Sequence, residues 1–234
     1  MPAGRHAGGA IGARMAPQAE FAEWRCPPRP VGAAIRAPCH RLAPRRGLRY
    51  AASVKLVYHV MSSPLGLLFL ARTDRGLRFL DFLERKSLKR AFASHAETVP
   101  GAMWEPSLLQ LKPVVDQLDS YFCGNLTRFD LPLDLAGTEF QLKVWRALRG
   151  IPYGATCTYG QIAKAIGQPG AARAVGLANN HNPVPIIVPC HRVIGADGSL
   201  TGYGGGLPRK RKLLDLEARF AHLVGHAGSR FTTT

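Results

Sequence analysis

A cysteine and a histidine stand side by side at Cys190 and His191, at the end of an apolar run that prolines interrupt. A thiol reacts as its thiolate, so an adjacent imidazole that can take up the thiol proton is what a cysteine nucleophile needs. The rings of Pro183, Pro185 and Pro189 fix φ and remove backbone donors, which excludes a helix and favours an extended segment. Taken alone, a buried structural cysteine beside a hydrogen-bonded histidine is the commoner arrangement.

The charge distribution indicates which partner such a thiol would meet. The chain of 234 residues has a formal net charge of +16, which favours a polyanionic partner, with nucleic acid first. No acidic residue lies between Glu139 and Asp197, and a surface built from that window would attract phosphates. No apolar run is long enough to span a membrane. The basic residues in the window are Lys143, Arg146, Arg149, Lys164, Arg173 and Arg192.

Cysteine usage fits a reducing compartment, because the cysteines show neither the pairing of a disulfide framework nor the spacing of a metal site. A zinc site near the N-terminus is a poorly spaced alternative, since structural zinc prefers a closed set of four ligands. No motif for a cofactor accompanies the thiol, so we expect neither metal nor cofactor. The cysteines are Cys26, Cys39, Cys123, Cys157 and Cys190, and the alternative zinc ligands are Cys26, Cys39, His40 and His59.

Both ends of the chain lack apolar periodicity. Residues 1–50 are rich in Ala, Gly, Arg and Pro and are predicted to be a disordered basic extension, and residues 223–234 a disordered tail. An Arg-rich, acid-poor leader is typical of organelle targeting. A translation start placed too far upstream of the internal Met15 would look the same, and both explanations stay open.

Residues 53–135 predict a small α/β supporting domain. Short β-type runs separated by turns indicate an antiparallel meander, and residues 129–135 alternate like an edge strand. Between them lies an apolar helical face, whose helix Pro113 must start or kink. The β-type runs are 55–60, 66–71 and 76–82, and the helical face comprises Leu108, Leu111, Val115, Leu118 and Phe122.

Past Gly137 the pattern becomes helical, and capping boxes at Thr138 and Thr158 mark two helix starts. The helix after Thr158 and a further helix over 171–179, joined by a turn with glycine, predict a helix-turn-helix. The second helix carries only small and apolar side chains around Arg173. Such a helix permits close backbone approach to DNA and favours sequence-independent binding with one long side chain able to insert.

The run from Asn182 to Val193, with the following Gly202, Tyr203 and Gly206, resembles the active-site signature of the O6-alkylguanine-DNA alkyltransferases. The resemblance covers roughly residues 53–220. It implies an α/β + α fold, in which a small ribonuclease-H-like N-terminal domain precedes a mainly helical, winged-helix-like helix-turn-helix domain. That second domain, at 136–222, would bind DNA and carry out the alkyl transfer.

The resemblance also implies roles for single residues. Cys190 would accept the alkyl group, His191 would remove the thiol proton through a water, and Glu217 would orient the imidazole. The hydroxyl of Tyr159 would assist the departing base. At Gly204 some members of the family have a serine that contacts guanine O6, and here the backbone N–H could substitute. Arg173 would fill the gap left by the flipped nucleotide, Thr158, Ala172 and Gly176 would face DNA, and Asn182, Pro185, Val193, Tyr203 and Gly204 would form the substrate pocket.

The expected activity is a stoichiometric repair of double-stranded DNA that carries O6-alkylguanine, because no second nucleophile is present to free the thioether. O4-alkylthymine stays open as a substrate. We expect a monomer in a bacterial cytoplasm or a nucleus. The alternatives are a helix-turn-helix protein without chemistry, a related base-flipping protein without the cysteine, and a thiol hydrolase. The presence of Cys190 argues against the second, and the lack of an oxyanion loop against the third.

Overall fold

The computed structural model describes residues 54–83, 88–96 and 98–221. The predicted basic extension at 1–50, the tail at 223–234 and three of the alternative zinc ligands (Cys26, Cys39, His40) lie outside these residues. In the described part of the chain, no helix is long and apolar enough to cross a membrane.

A four-stranded mixed sheet forms the N-terminal half, in the order β3-β2-β1-β4. The predicted antiparallel meander is confirmed as β1 (Lys55–Met61), β2 (Leu68–Thr73) and β3 (Gly76–Phe82). The sequence did not predict β4 (Met103–Pro106), which pairs parallel to β1 after a crossover through α1 (Leu88–Ala96). The crossover extends the sheet by one strand beyond the meander.

Both faces of the sheet are buried, as the alternation in β2 illustrates. Leu68 and Leu70 point into the main apolar cluster, whereas Phe69 and Ala71 join a smaller cluster on the opposite face. The ring of Tyr58 and its aromatic neighbours fill that smaller cluster. The main cluster continues from the sheet into the C-terminal half, so the two halves share one core.

Helix α2 (Leu108–Phe122) begins at the N-cap Ser107, whose side chain accepts a hydrogen bond from the backbone N–H of Gln110. Pro113 neither starts nor ends this helix, which continues through it. The carbonyl that the missing N–H would have served belongs to Leu109, whose side chain is 82% exposed, so water can satisfy it.

The edge strand predicted at 129–135 is wrong. A single isolated parallel bridge joins Leu133 to Leu77 in place of a ladder. The N–H of Leu77 donates to the carbonyl of Pro132 (2.9 Å), and the N–H of Asp134 donates to the carbonyl of Leu77 (2.9 Å). Pro132 itself has no N–H to extend the pairing, so this segment packs as a connector to the C-terminal half.

Helices dominate the C-terminal half. Both predicted capping boxes are confirmed, at the starts of α3 (Glu139–Leu148) and α4 (Tyr159–Ala165). Helix α4 packs against α5 (Ala172–Asn180) across a short turn, which gives the predicted helix-turn-helix. The indole of Trp145 in α3 donates to the carbonyl of Ala178 (2.9 Å) and fixes α5 to α3. The remaining elements are β5 (Cys157–Thr158), a 3₁₀ turn (Cys190–Arg192), β6 (Val193–Ile194) and α6 (Leu207–Ala221).

Candidate active site

The prolines before Cys190 predict an extended segment. In the structure this segment instead folds into a tight turn at Ile186. That residue has φ 75°, in the left-handed region that a β-branched side chain rarely enters. The turn is closed by the N–H of Val188, which donates to the carbonyl of Val184 (2.9 Å). Backbone strain of this kind clusters at functional sites. Here the turn brings the chain back so that Cys190 lies beside Asn182.

The side chain of Asn182 holds this turn and the thiol together. Its Oδ1 accepts from the N–H of Val184 (3.0 Å), and its Nδ2 donates to the carbonyl of Val188 (2.8 Å). The same Nδ2 lies 3.1 Å from Cys190 Sγ. Asn182 therefore holds the loop together and also supplies a hydrogen-bond donor to the sulfur.

Cys190 opens the 3₁₀ turn and lies at the wall of a cavity of about 560 Å³. The side chain is 2% exposed, and this burial raises the pKa of its thiol to about 11, although Asn182 and the charge of Lys210 partly oppose the rise. The thiol is therefore protonated at neutral pH and needs a base. Four other predicted pocket residues line the same cavity: Asn182, Pro185, Tyr203 and Gly204.

Behind the thiol, His191 and Glu217 are fully buried and form a hydrogen bond of 2.9 Å between Nε2 and Oε1. The carboxylate also accepts from the hydroxyl of Tyr121 (2.7 Å) and from the N–H of Gly154 (3.0 Å). Such a buried carboxylate is stable only when its oxygens are well supplied with donors. The predicted pairing of His191 with Glu217 is present in the geometry.

Arg192 completes this network, contrary to the prediction that it lies on a phosphate-attracting surface. It is 5% exposed, with Nε 2.9 Å from Oε2 and Nη2 2.8 Å from Oε1 of Glu217. Its Nη1 donates to the carbonyl of Ile151 (2.6 Å). Burial alone would raise the pKa of the Glu217 carboxyl, but His191 and Arg192 hold that pKa well below its ordinary value. Sequence position could not reveal that this arginine faces inward.

His191 can act as a base in this setting. Burial lowers the pKa of its imidazole, so the ring is neutral at physiological pH. Because Nε2 faces the ionised Glu217, the ring proton sits on Nε2 and Nδ1 carries a lone pair. Nδ1 is buried and has no hydrogen-bond partner among the described residues. A water between Nδ1 and the thiol would complete the proton path.

Lys210, in the basic run 209–212, is the second buried cation of the site. Its side chain is 0% exposed, and its Nζ donates to the carbonyls of Val193 (2.5 Å) and Thr201 (2.6 Å). Burial lowers the pKa of the ammonium group to about 8. The helical spacing of Lys210 with the buried Leu213 and Glu217 is the signal that could have placed it inward.

Two residues that were expected to contact the flipped base, Val193 and Tyr159, lie outside the cavity lining. Val193 is fully buried and contributes its carbonyl to Lys210 rather than a side chain to the cavity. Tyr159 donates its hydroxyl to the carbonyls of Thr201 (2.9 Å) and Gly202 (3.3 Å). The phenol therefore fixes the loop that follows β6, and it must exchange these partners before it can bond a departing base.

The glycine-rich loop after β6 closes the cavity against the N-terminal half. A Cβ at Gly205 would lie 2.6 Å from the ring of Phe82 and 2.7 Å from that of Tyr203, so no larger residue fits there. A Cβ at Gly204 would lie 3.3 Å from the carbonyl oxygen of Asn180, which leaves little room for a larger side chain. Arg209 clamps the loop, because its Nε donates to the carbonyl of Leu65 (2.9 Å).

The predicted DNA-facing residues lie at the helix-turn-helix. Arg173 is exposed near the start of α5, and its side chain makes no hydrogen bond or ion pair within the described part of the chain. Gly176 packs against the ring of Tyr159, while Ala172 is half-buried at the helix start. The hydroxyl of Thr158 accepts from the N–H of Gln161 (3.2 Å) and caps α4, which is a structural task.

Both halves of the chain match family models of known proteins. Residues 56–135 match the family model described as 6-O-methylguanine DNA methyltransferase, ribonuclease-like domain. Residues 139–219 match the model described as 6-O-methylguanine DNA methyltransferase, DNA binding domain. The chain belongs to the 6-O-methylguanine DNA methyltransferase family. The match confirms the predicted fold class, a ribonuclease-like domain followed by a helical DNA-binding domain.

Relatives within the 6-O-methylguanine DNA methyltransferase family support the assignment over most of their length. A methylated-DNA–protein-cysteine methyltransferase of Mycobacterium bovis is 55% identical over 160 residues, 68% of this chain and 91% of the relative. One of Methanosarcina acetivorans is 49% identical over 162 residues, 69% of this chain and 98% of the relative. The crystal structure of Mycobacterium tuberculosis OGT in complex with DNA matches with a TM-score of 0.60 and 52% identity, over 71% of this chain and 94% of that one.

A further cavity residue, which the sequence did not predict, is Asn179 on α5. It is 2% exposed and lines the cavity that contains Cys190. Neither its amide nitrogen nor its amide oxygen has a hydrogen-bond partner in the described residues. The cluster of asparagines at Asn179, Asn180 and Asn182, just before the proline-rich segment, was the available signal.

Proposed function

We propose that this protein repairs double-stranded DNA by flipping out O6-alkylguanine and transferring the alkyl group irreversibly to Cys190. Membership of the 6-O-methylguanine DNA methyltransferase family supports this function, as do relatives named methylated-DNA–protein-cysteine methyltransferases. A base must leave the duplex before a protein thiol can reach its O6 atom. The observation that carries the proposal is a buried Cys190 that opens onto a cavity and is backed by His191 and Glu217.

The reaction is a displacement at the alkyl carbon. His191 Nδ1 takes the proton of Cys190 through a water, and the thiolate attacks the alkyl carbon. The new carbon–sulfur bond forms as the carbon–O6 bond breaks, and that electron pair remains on guanine, which a proton then neutralises. Glu217 stabilises the imidazolium that forms, in the manner of a carboxylate behind a catalytic histidine. The hydroxyl of Tyr159 is the proposed donor to the departing base.

DNA would approach from α5. The exposed Arg173 is the proposed side chain that occupies the space of the extruded nucleotide, and the small residues Ala172 and Gly176 allow the helix close to the sugar-phosphate backbone. Thr158 stands at the start of α4, next to the same surface. Contacts of this kind position the protein without reading base sequence. We propose that Asn182, Pro185, Tyr203 and Gly204 enclose the flipped base.

The protein is consumed in this reaction, because Cys190 keeps the transferred alkyl group. A thioether is a poor electrophile, so each molecule reacts once. We also propose a supporting domain at 53–135 and an alkyl-transfer domain at 136–222, a monomeric state, and a location where DNA is present, in a bacterial cytoplasm or a nucleus.

The test is the intact mass of the full chain after incubation with duplex DNA that carries O6-methylguanine. We expect one added methyl group, and peptide mapping should place it on Cys190. Cys190→Ser should remain unmodified, and Cys157→Ser should accept the methyl group as the wild type does. An unchanged wild-type mass, or many methyl groups removed from DNA per protein molecule, would contradict the proposal.

A further inference from the structure

A second cavity lies on the other side of the segment that carries Cys190. It has a volume of about 590 Å³ and shares no lining residue with the cavity that contains the thiol. Pro185 and Cys190 line the thiol cavity, whereas Pro189 and Arg192 line the second one. The two cavities are therefore lined by separate sets of residues, and we call the second one the arginine cavity.

Four arginines line the arginine cavity, and none of its lining residues is acidic. Arg146 and Arg149 come from the end of α3, and Arg128 from the connector after α2. These three are exposed, and none forms an ion pair or a side-chain hydrogen bond within the residues that the structure describes. Arg192 adds a buried positive charge at the wall, although Glu217 already occupies its donors. The three exposed arginines converge on a cavity with no acidic residue in its lining, so their charges repel one another and a bound anion would relieve this repulsion.

A tyrosine lies among the arginines of the cavity lining. This residue is Tyr153, and its hydroxyl is buried without a hydrogen-bond partner in the described residues. Burial raises the pKa of this phenol, so the hydroxyl keeps its proton and is a donor. Most buried polar groups have a partner, and an orphan of this kind calls for a ligand, an ion or a water.

We propose that the arginine cavity binds a phosphate group and is a second anion site, separate from the cavity of Cys190. Guanidinium groups match phosphate oxygens because their paired N–H donors can bind bidentately. The volume accommodates a ligand larger than inorganic phosphate, within the range usual for small-molecule sites. The phosphate belongs either to a nucleic-acid backbone or to a free phosphate ester, and the chemistry of recognition is the same for both.

The site is tested in full-length Cys190→Ser, which separates anion binding from alkyl transfer. Sodium pyrophosphate is titrated calorimetrically into this variant, into the variant with Arg146→Gln and Arg149→Gln added, and into a control with Lys89→Gln and Arg90→Gln added. The control removes the same charge from exposed positions on α1. We expect saturable binding at one site that weakens about tenfold or more in the cavity variant and stays unchanged in the control. No saturable binding, or equal weakening in the control, would overturn the proposal.

Two further arms identify the source of the phosphate. If an unmodified DNA duplex displaces pyrophosphate, and the cavity variant binds that duplex more weakly than the control does, the phosphate is one of a nucleic-acid backbone. If duplex and pyrophosphate bind together, the ligand is a free phosphate ester. Both outcomes require a functional arginine cavity. Neither outcome depends on methyl transfer to Cys190. The proposed repair function can therefore be disproved while the phosphate site is confirmed, and the phosphate site can be disproved while the repair function is confirmed.

Discussion

Two buried thiols lie on neighbouring parts of this chain, and their surroundings differ. Cys157 in β5 pairs in register with Val193 of β6, close to Cys190. Each side chain is 2% exposed, and burial raises the thiol pKa to about 12 at Cys157 and about 11 at Cys190. At Cys190 a hydrogen bond from Asn182 and the charge of Lys210 oppose that rise, whereas burial is the only cause at Cys157.

Exposure therefore does not distinguish the reactive thiol from the other one, because both side chains are equally buried. A cavity at the sulfur, a donor to it and a base behind it do so, and only Cys190 has all three among the described cysteines. Changes to the surroundings of Cys190 should therefore alter alkyl transfer, and changes at Cys157 should not.

The largest effect is expected from Glu217→Gln, which removes the carboxylate behind Cys190. The change leaves Arg192 as a buried cation without its counter-ion, which costs about 3–5 kcal/mol of unfolding free energy. It also removes the partner that orients His191, so we expect single-turnover transfer to slow about 100-fold or more. Urea denaturation and a rapid-quench assay with methylated duplex measure the two effects.

The acid limb of the stability curve adds a check on the same variant. The pKa of the Glu217 carboxyl is held below its ordinary value of 4.5, so its stabilisation is present above that pH and is lost as pH falls. Glu217→Gln should therefore lose less stability on acidification than the wild type. Glu139→Gln is the control, because Glu139 is exposed and pairs with Lys143 at the surface. Equal unfolding midpoints for both variants would contradict the role of the buried network.

A smaller effect is expected from Lys210→Met, which keeps an apolar stem but removes the charge near Cys190. The carbonyls of Val193 and Thr201 lose their donor, and the pKa of the thiol rises. Transfer should slow about tenfold for each unit by which that pKa rises. The pH dependence of Cys190 alkylation by iodoacetamide measures the pKa directly. Arg211→Met, at an exposed neighbouring position on α6, should match the wild type.

The single-turnover rate of the wild-type protein should decrease on acidification. Burial lowers the pKa of His191 from its ordinary 6.5, so the neutral base persists to a lower pH and is then lost. Transfer should be flat from pH 8 to about 6.5 and fall below that range. Because the unfolded chain binds more protons in this range, the free energy of unfolding should also decrease as the pH is lowered. A rate that declines already above pH 7 would show that His191 is not the base.

Local signals in the sequence predicted the features that local physics determines. The capping boxes at Thr138 and Thr158, the strands of the meander and the Cys190–His191 pair all follow from residues within a few positions of one another. The interior of the site depends on distant partners. Arg192 is buried because it contacts Glu217 directly. The two residues are 25 positions apart in sequence, so no local pattern encodes the contact.

Backbone features escaped prediction for a similar reason. The four residues of β4 end in proline and form a strand only because β1, far back in the chain, offers its free edge. The prolines around Ile186 favour an extended chain, yet the hydrogen bonds of Asn182 hold a turn there. In both cases tertiary contacts override local preference.

The smallest effect on alkyl transfer is expected from substitutions at Cys157. These substitutions test directly whether the two thiols are independent. Cys157→Ala removes one buried atom from an apolar site and should cost about 1 kcal/mol of unfolding free energy. Cys157→Ser puts a hydroxyl in the same place and should cost about 1–3 kcal/mol, because no partner for it is evident among the described neighbours. In both variants the single-turnover rate should equal that of the wild type. Thermal unfolding and the rapid-quench assay measure the two quantities on the same samples. If either variant slowed transfer while its folded fraction stayed complete, β5 would take part in positioning Cys190 through its pairing with Val193, and the two thiols would not be independent.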